Sequence, residues 1–188
     1  VGDSLAEYWT NHPDTPDTES KVKDACMTAS ESIDRASDAV GHLQMGTTMV
    51  MASIEGNNAT IAHIGDSRCY VLRRGCQTYE VGNSFLAEKN VLFQTLDHTA
   101  IHLGHETVAR CFFSYRQDVA EPDIISIGIT SGDVIFLCSD GVDKYVRPDI
   151  MVQRLLDDKS PDEIADVIKF LCEKNSDDNY SGIIIQVK

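Results

Sequence analysis

Apolar residues in the first part of the chain recur in steps of three and four. Residues 5–10 (LAEYWT) have helical character and stop before Asn11-His12-Pro13, after which a polar loop carrying Pro13 and Pro16 runs to Thr18. From Glu19 to about Val40 the positions Val22, Ala25, Cys26, Ala29, Ile33, Ala36 and Val40 fall on one stripe, which predicts a long amphipathic helix. Gly41 is its stop signal.

The texture then turns to β. Residues 47–54 and 59–64 flank Gly56-Asn57-Asn58 and predict a hairpin. Residues 68–72 and 77–81 flank Arg73-Arg74-Gly75 and predict a second one. Such short connections have no room for crossover helices, so the strands are expected to be antiparallel. Residues 96–115 are read as helix-prone and irregular. Residues 123–130 alternate, with Ile125, Ile127 and Ile129 on one face, as a half-buried strand does. Val134–Cys138 is unbroken apolar, the pattern of an interior strand covered on both faces. Two helices follow, the second launched by the capping box Ser160-Pro161-Asp162-Glu163. A last strand over residues 180–187 closes an α+β arrangement with helices covering sheet faces.

Composition narrows the picture. At 188 residues, 42% hydrophobic and 24% charged, the chain is expected to fold as a single domain over 1–188. The formal charge of −14, from 30 acidic and 16 basic residues, argues against nucleic acid and anionic membrane surfaces and suits divalent cations. No apolar run approaches the ~20 residues of a membrane helix. Six cysteines without CxxC spacing are expected to be reduced, in a cytoplasmic protein.

Candidate chemistry gathers at strand ends. Asp140 follows Val134–Cys138 directly, Asp178 precedes the final strand, and Asp97 stands before the irregular stretch. Magnesium-type ions take one or two carboxylates plus waters. If the strands carrying Asp140 and Asp178 are neighbours, the two carboxylates meet at one rim of the sheet. Equally, Asp-Gly and Asp-Asn are ordinary turn sequences. His98, His102 and His105 have the spacing H-x3-H-x2-H, and on a helix the first two would share a face. Without HExxH or a cysteine partner they do not make a zinc site, and the stretch is read as part of a flap. Ser67 and Ser139 lack the G-x-S-x-G context of a nucleophile.

Taken in order, Gly46-Thr47-Thr48, Ala62-His63-Ile64-Gly65-Asp66-Ser67-Arg68, Asp97-His98-Thr99, Leu137-Cys138-Ser139-Asp140-Gly141-Val142 and Asp178-Asn179 resemble the protein phosphatase 2C family. The resemblance spans about residues 43–188. It implies a four-layer α-β-β-α sandwich of two antiparallel sheets, and a metal-dependent phosphatase acting on phosphoserine or phosphothreonine proteins. Two manganese or magnesium ions would flank the water that attacks phosphorus. Asp140 and Asp178 match carboxylates that hold the second metal, and Asp97 matches one that joins Asp140 around a third ion. Asp66 and Arg68 look architectural, as a buried pair, while Gly46, Gly141 and Asn179 belong to the structural motif. The expected partner is a phosphoprotein, met by a monomer.

Departures from the family pattern are visible too. The Asp-Gly loop whose aspartate bridges both metals is expected upstream of the first helix and is not seen, and Gly2-Asp3 reverses that dipeptide. The family's later arginine block is replaced by residues 107–112, where Arg110 keeps an arginine. Lys144 stands where an acidic residue is usual, with Asp143 just before it. The domain is therefore expected to lack its N-terminal strands and Asp-Gly metal loop because residues precede Val1; the alternative expectation is a catalytically inactive relative that serves as a regulatory or phosphoprotein-binding module. An acidic metal-binding protein without chemistry is a further one.

Overall fold

The computed structural model describes residues 1–16, 18–76, 79–81, 84–86, 89–116 and 121–188. Helices α1 (Gly2–Asn11) and α2 (Glu19–Ala39) lead into strands β1 (Gly46–Thr47), β2 (Met49–Glu55), β3 (Asn58–Ile64) and β4 (Arg68–Leu72). Next come β5 (Tyr79–Val81), β6 (Ser84–Leu86), β7 (Val91–Gln94), β8 (Thr99–His102), β9 (His105–Val108) and β10 (Phe112–Phe113). Strands β11 (Asp123–Gly128) and β12 (Val134–Cys138) precede helices α3 (Asp140–Asp143), α4 (Pro148–Leu155) and α5 (Pro161–Asn175), and β13 (Gly182–Gln186) ends the order. The chain divides into two compact units, Val1–Asp66 with Asp97–Gly128, and Ser67–Leu96 with Ile129–Lys188.

In the first unit β3 lies between β2 and β11, antiparallel to both. The β2–β3 hairpin turns at Gly56, whose φ of +57° suits a residue without a Cβ. Helix α2 starts on Thr18, whose side chain accepts from the Lys21 amide at 3.3 Å. Its Val22, Cys26 and Ile33 join Met49, Ala62, Ile64 and Phe112 in one core, against which Leu5 and Trp9 of α1 pack. Burying each such aliphatic side chain is worth roughly 1.5–3 kcal/mol, so this stripe rather than helix propensity holds α2 in place. The stripe ends earlier than its periodicity suggests. Ala36 is exposed and Val40 is 57% exposed, while Ser37 is buried. The Ser37 hydroxyl donates to the Leu43 carbonyl at 2.6 Å, folding the exit loop beneath the last turn.

In the second unit the strand order is β13-β12-β4-β7, antiparallel throughout. All five residues of β12 are buried, as its apolar run requires of a strand flanked by β13 and β4. Met151, Val152 and Leu155 of α4 and Ile164, Ile168 and Cys172 of α5 share a core with Tyr70, Leu72, Val134 and Phe136. The capping box forms: Ser160 accepts from the Glu163 amide, and Glu163 accepts in return from the Ser160 amide. Each unit thus combines helices with a main antiparallel sheet and smaller two-stranded pairs, the α+β class expected.

Two local expectations are corrected. Strand β4 pairs on its far side from β12 with β7 and not with residues 79–81, placing Tyr70 opposite Gln94 and Val71 opposite Phe93. Residues 79–81 pair with β6 instead, and residues 77–78 of the expected strand lie outside the described residues. Asn90 decides this. Its carbonyl accepts from the Arg73 amide, its own amide donates to Cys76, and its side chain accepts from the Gly75 amide, so the return strand begins after it. Second, residues 99–108 are not helical but form the β8–β9 hairpin, with His102 opposite His105. Leu103 (φ +51°) and Gly104 (φ +83°) supply the two positive φ values that a two-residue turn of this hand needs. Thr99, Ile101, Thr107 and Val108 are the β-branched residues that favour it.

The entry to β12 is fixed by one ion pair. Asp133, 1% exposed, receives Arg73 through both carboxylate oxygens, at 2.9 and 2.8 Å, and the Thr130 amide at 2.8 Å. Burial pushes its carboxyl up, but the Arg73 guanidinium and the Thr130 amide outweigh this and hold it below the ordinary value. A carboxyl lowered in the folded state stabilises above its unfolded pKa and loses that contribution as pH falls through the folded one. Asp133→Asn is therefore expected to melt well below the wild type at pH 7. The gap should close as pH drops below about 4, read by melting curves across pH.

Candidate metal centre

Strands β12 and β13 are neighbours, with Cys138 opposite Gly182, so their ends put the residues after β12 beside those before β13. The Ser139 amide donates to the Ser181 carbonyl and the Ser181 amide donates to Ser139 Oγ, both at 3.0 Å. This continues the ladder one step past the strands and leaves the Ser139 hydroxyl engaged. Asp140 opens α3 from that point. Gly141 is where the two segments touch: a Cβ there would lie 2.2 Å from the Asn179 carbonyl oxygen. Only a residue without a side chain permits the approach. Asp178 is exposed, and its Oδ1 accepts from the amide of the next residue, Asn179, at 2.7 Å.

The donors at this rim suit a hard cation. Asp140 and Asp178 are carboxylates with access to solvent, and among the described residues neither is consumed by a buried ion pair. Asp140 is 32% exposed in its side chain, and its Oδ2 takes the Lys144 ammonium at 3.1 Å, a surface contact across one helical turn. The nearby Cys138 is no thiolate donor, because burial pushes its thiol up.

Below the rim lies a triad that sequence reasoning did not find. Arg68, opposite Cys138 on β4, pairs with buried Asp143. The Tyr70 hydroxyl donates to the same carboxylate and accepts from Arg68 at 3.2 Å. Burial, with Asp143 beside it, pushes the Tyr70 phenol up and keeps it a neutral donor. Asp143 is thus structural: it ties the α3 turn, and with it Asp140, to β4. The only signal in sequence was the displaced acid, since the partners lie about 70 positions away across a strand pairing.

Asp97 and Asp66 belong to the first unit. Asp97 is half-buried in the loop before β8, and Asp66 is buried. Gly65, at φ +110°, lies against Thr48, where a Cβ would approach the threonine Cγ2 to 2.2 Å. Gly46 faces Phe113 across the β1–β10 pair, and a Cβ there would come within 2.7 Å of its ring. Both glycines permit close packing.

The histidines do not assemble as a helix face would have placed them. His98 is buried and stacks on His63 at 4.5 Å between ring centres, and donor atoms of His63, His98 and Asp123 lie within 4.8 Å of one another. The Gly65 amide donates to His98 Nδ1 at 3.2 Å, so Nε2 carries the proton and donates to Asp123 at 3.0 Å. Arg110 already fills the place of a cation: it pairs with Asp123 at 2.9 Å and stands 3.0 Å from His98 Nε2. Burial pushes the Asp123 carboxyl up, but Arg110 and His98 bring it below the ordinary value. The cluster is a hydrogen-bonded lock on the loop of Asp97 rather than a ligand set.

Comparison with known proteins agrees with the motifs. The sequence profile of the protein phosphatase 2C family matches residues 3–88. The chain is 24% identical over 151 residues to the serine/threonine protein phosphatase PstP of Mycobacterium tuberculosis, covering 76% of this chain and 28% of PstP. To the serine/threonine phosphatase stp of Listeria welshimeri it is 28% identical over 160 residues, covering 76% and 57%. The chain therefore spans only part of the length of these relatives. The crystal structure of the M. tuberculosis phosphatase PstP/Ppp superposes with a TM-score of 0.77 at 21% identity, over 99% of this chain and 80% of that one. The PstP catalytic domain in complex with two manganese ions gives 0.72 over the same shares, at 21% identity. The fold is that of these bacterial phosphatases.

Proposed function

We propose that this chain, similar in sequence and fold to the protein phosphatase 2C family, acts as a metal-dependent serine/threonine protein phosphatase. What supports the reading is the adjacency of the β12 and β13 ends, with Asp140 just after β12 and Asp178 shortly before β13. In this reading residues 1–188 work as a single phosphatase-like domain. Asp140 and Asp178 hold manganese or magnesium, two ions in all, with Asp97 offered to a third. Such ions supply a water of lowered pKa and positive charge toward the phosphate oxygens of a phosphoserine or phosphothreonine protein. The chain's own part is to fix the backbone positions from which the two carboxylates reach out. The Ser139–Ser181 bonds and the Gly141 contact fix the spacing, and the Arg68–Asp143 pair fixes the turn. Asp66, Arg68, Gly46, Gly141 and Asn179 act as scaffold.

The remaining properties follow from charge and thiols. The net charge of −14 disfavours nucleic acid, and no helix among the described residues is long and apolar enough to cross a membrane. All six cysteines are unpaired, which fits the reducing, cytoplasmic setting proposed here, and the protein is proposed to work as a monomer. Manganese-dependent hydrolysis of a phosphothreonine peptide tests the reading. Asp140→Asn and Asp178→Ala are each expected to lower the rate roughly 100-fold or more, as loss of a metal ligand does. Asp178→Ala should leave the melting temperature nearly unchanged, because the side chain is exposed. A wild-type rate no greater than that of Asp140→Asn, with both proteins folded, would turn the reading to an inactive binding module.

A further inference from the structure

Asp140 and Lys144 stand one helical turn apart, at the start of α3 and at its C-cap. This spacing puts two side chains on the same face of a helix. The Lys144 ammonium reaches Asp140 Oδ2 at 3.1 Å, with both side chains about one-third exposed, at 37% and 32%. Asp143, which could have offset that positive charge, is turned away into the pair with Arg68 and Tyr70. A fixed cation has therefore been placed on the carboxylate to which a divalent ion would bind.

We propose that Lys144 is a built-in competitor for the cation at Asp140. Its ammonium holds Oδ2 until a divalent ion displaces it, and its charge weakens the affinity of this rim for metal. The inference rests on the reading of Asp140 as a metal ligand. Its physical basis is twofold. A surface pair must be broken before the ion binds. The displaced ammonium also remains close enough to repel a doubly charged ion, within a Debye length of ~8 Å at physiological salt. Together these set the expected effect at about threefold to tenfold in affinity, larger at low ionic strength.

The test is manganese binding itself, followed by the loss of the free-ion EPR signal on titration with protein. Lys144→Gln is expected to bind manganese about threefold to tenfold more tightly than wild type in 0.15 M salt, and Lys144→Met, a second neutral variant, should match it. Lys144→Arg keeps the charge and should stay within about twofold of wild type. Raising the salt should shrink the difference between the glutamine variant and wild type. If neutral variants bind no better than wild type while Asp140→Asn loses binding, the competitor role of Lys144 is wrong and the ligand role of Asp140 stands. If Asp140→Asn binds manganese as wild type does, both fall together.

Discussion

Gly141→Ala is expected to destabilise the protein by about 3 kcal/mol and to cost it manganese binding at the rim. The new Cβ would sit 2.2 Å from the Asn179 carbonyl oxygen, 2.9 Å from its carbon and 3.3 Å from the Tyr180 Cα. All three are backbone atoms, so no side chain can swing aside to relieve the clash. Either α3 lifts or the segment before β13 retreats. Both movements part Asp140 from Asp178, because the two residues flank this contact on either side. Overpacking a well-packed site costs typically 1–3 kcal/mol, and the value here is placed at the top of that range because backbone must move. Gly128→Ala is the matched control. Nothing lies within 4 Å of its added Cβ and its φ is not positive, so stability should change by less than about 0.5 kcal/mol. Thermal melts and a manganese titration of both variants decide the matter. A Gly141→Ala protein that melts like wild type and binds manganese unchanged would show that the close approach of the two segments is dispensable.

Asp143→Ala should unfold the second unit's rim more readily still. Its side chain is 6% exposed and receives both Arg68, at 22%, and the Tyr70 hydroxyl. Removing Asp143 takes away the buried carboxylate that the Arg68 guanidinium and the Tyr70 hydroxyl share, at a cost of about 3–5 kcal/mol. For a chain of this size that corresponds to a fall in melting temperature of roughly 6–20 °C. The cost lies mainly in the guanidinium losing its carboxylate rather than in the worth of the pair. It follows that Arg68→Met combined with Asp143→Leu, which removes both charges, should recover much of the loss. Chemical denaturation of the single and double variants measures this directly. A single variant within about 1 kcal/mol of wild type, or a double variant worse than the sum of the singles, would exclude the buried pair as the anchor of α3.

The success of the residue patterns differs from place to place for physical reasons. The capping box at Ser160–Glu163, the apolar run of β12 and the β2–β3 hairpin are written in residues at most a few positions apart. Those signals act locally and survived into the structure. Residues 99–108 misled because Leu103 is not a usual turn residue, yet it takes the left-handed conformation that closes β8 on β9. Strand β4 misled because Arg73-Arg74-Gly75 has turn composition, whereas Asn90, fifteen residues beyond Gly75, owns the hydrogen bonds that a hairpin there would need. The end of the α2 stripe misled because periodicity marks a face but not where the neighbour stops.

For the candidate site the division is equally physical. The ordered motifs named Asp140 and Asp178 and made their meeting conditional on strand adjacency. The residue types, the helix caps, the acidic charge and the carboxylate chemistry were all contained in the chain, because each depends on composition or on neighbours within one or two turns. Tertiary structure alone decided that β12 lies against β13 in the register Cys138 to Gly182, that Arg68 answers Asp143, and that His98 is held by Gly65 and Asp123, with Arg110 paired to Asp123. Strand register and burial are settled by the packing of segments far apart in sequence, and no local pattern carries that information.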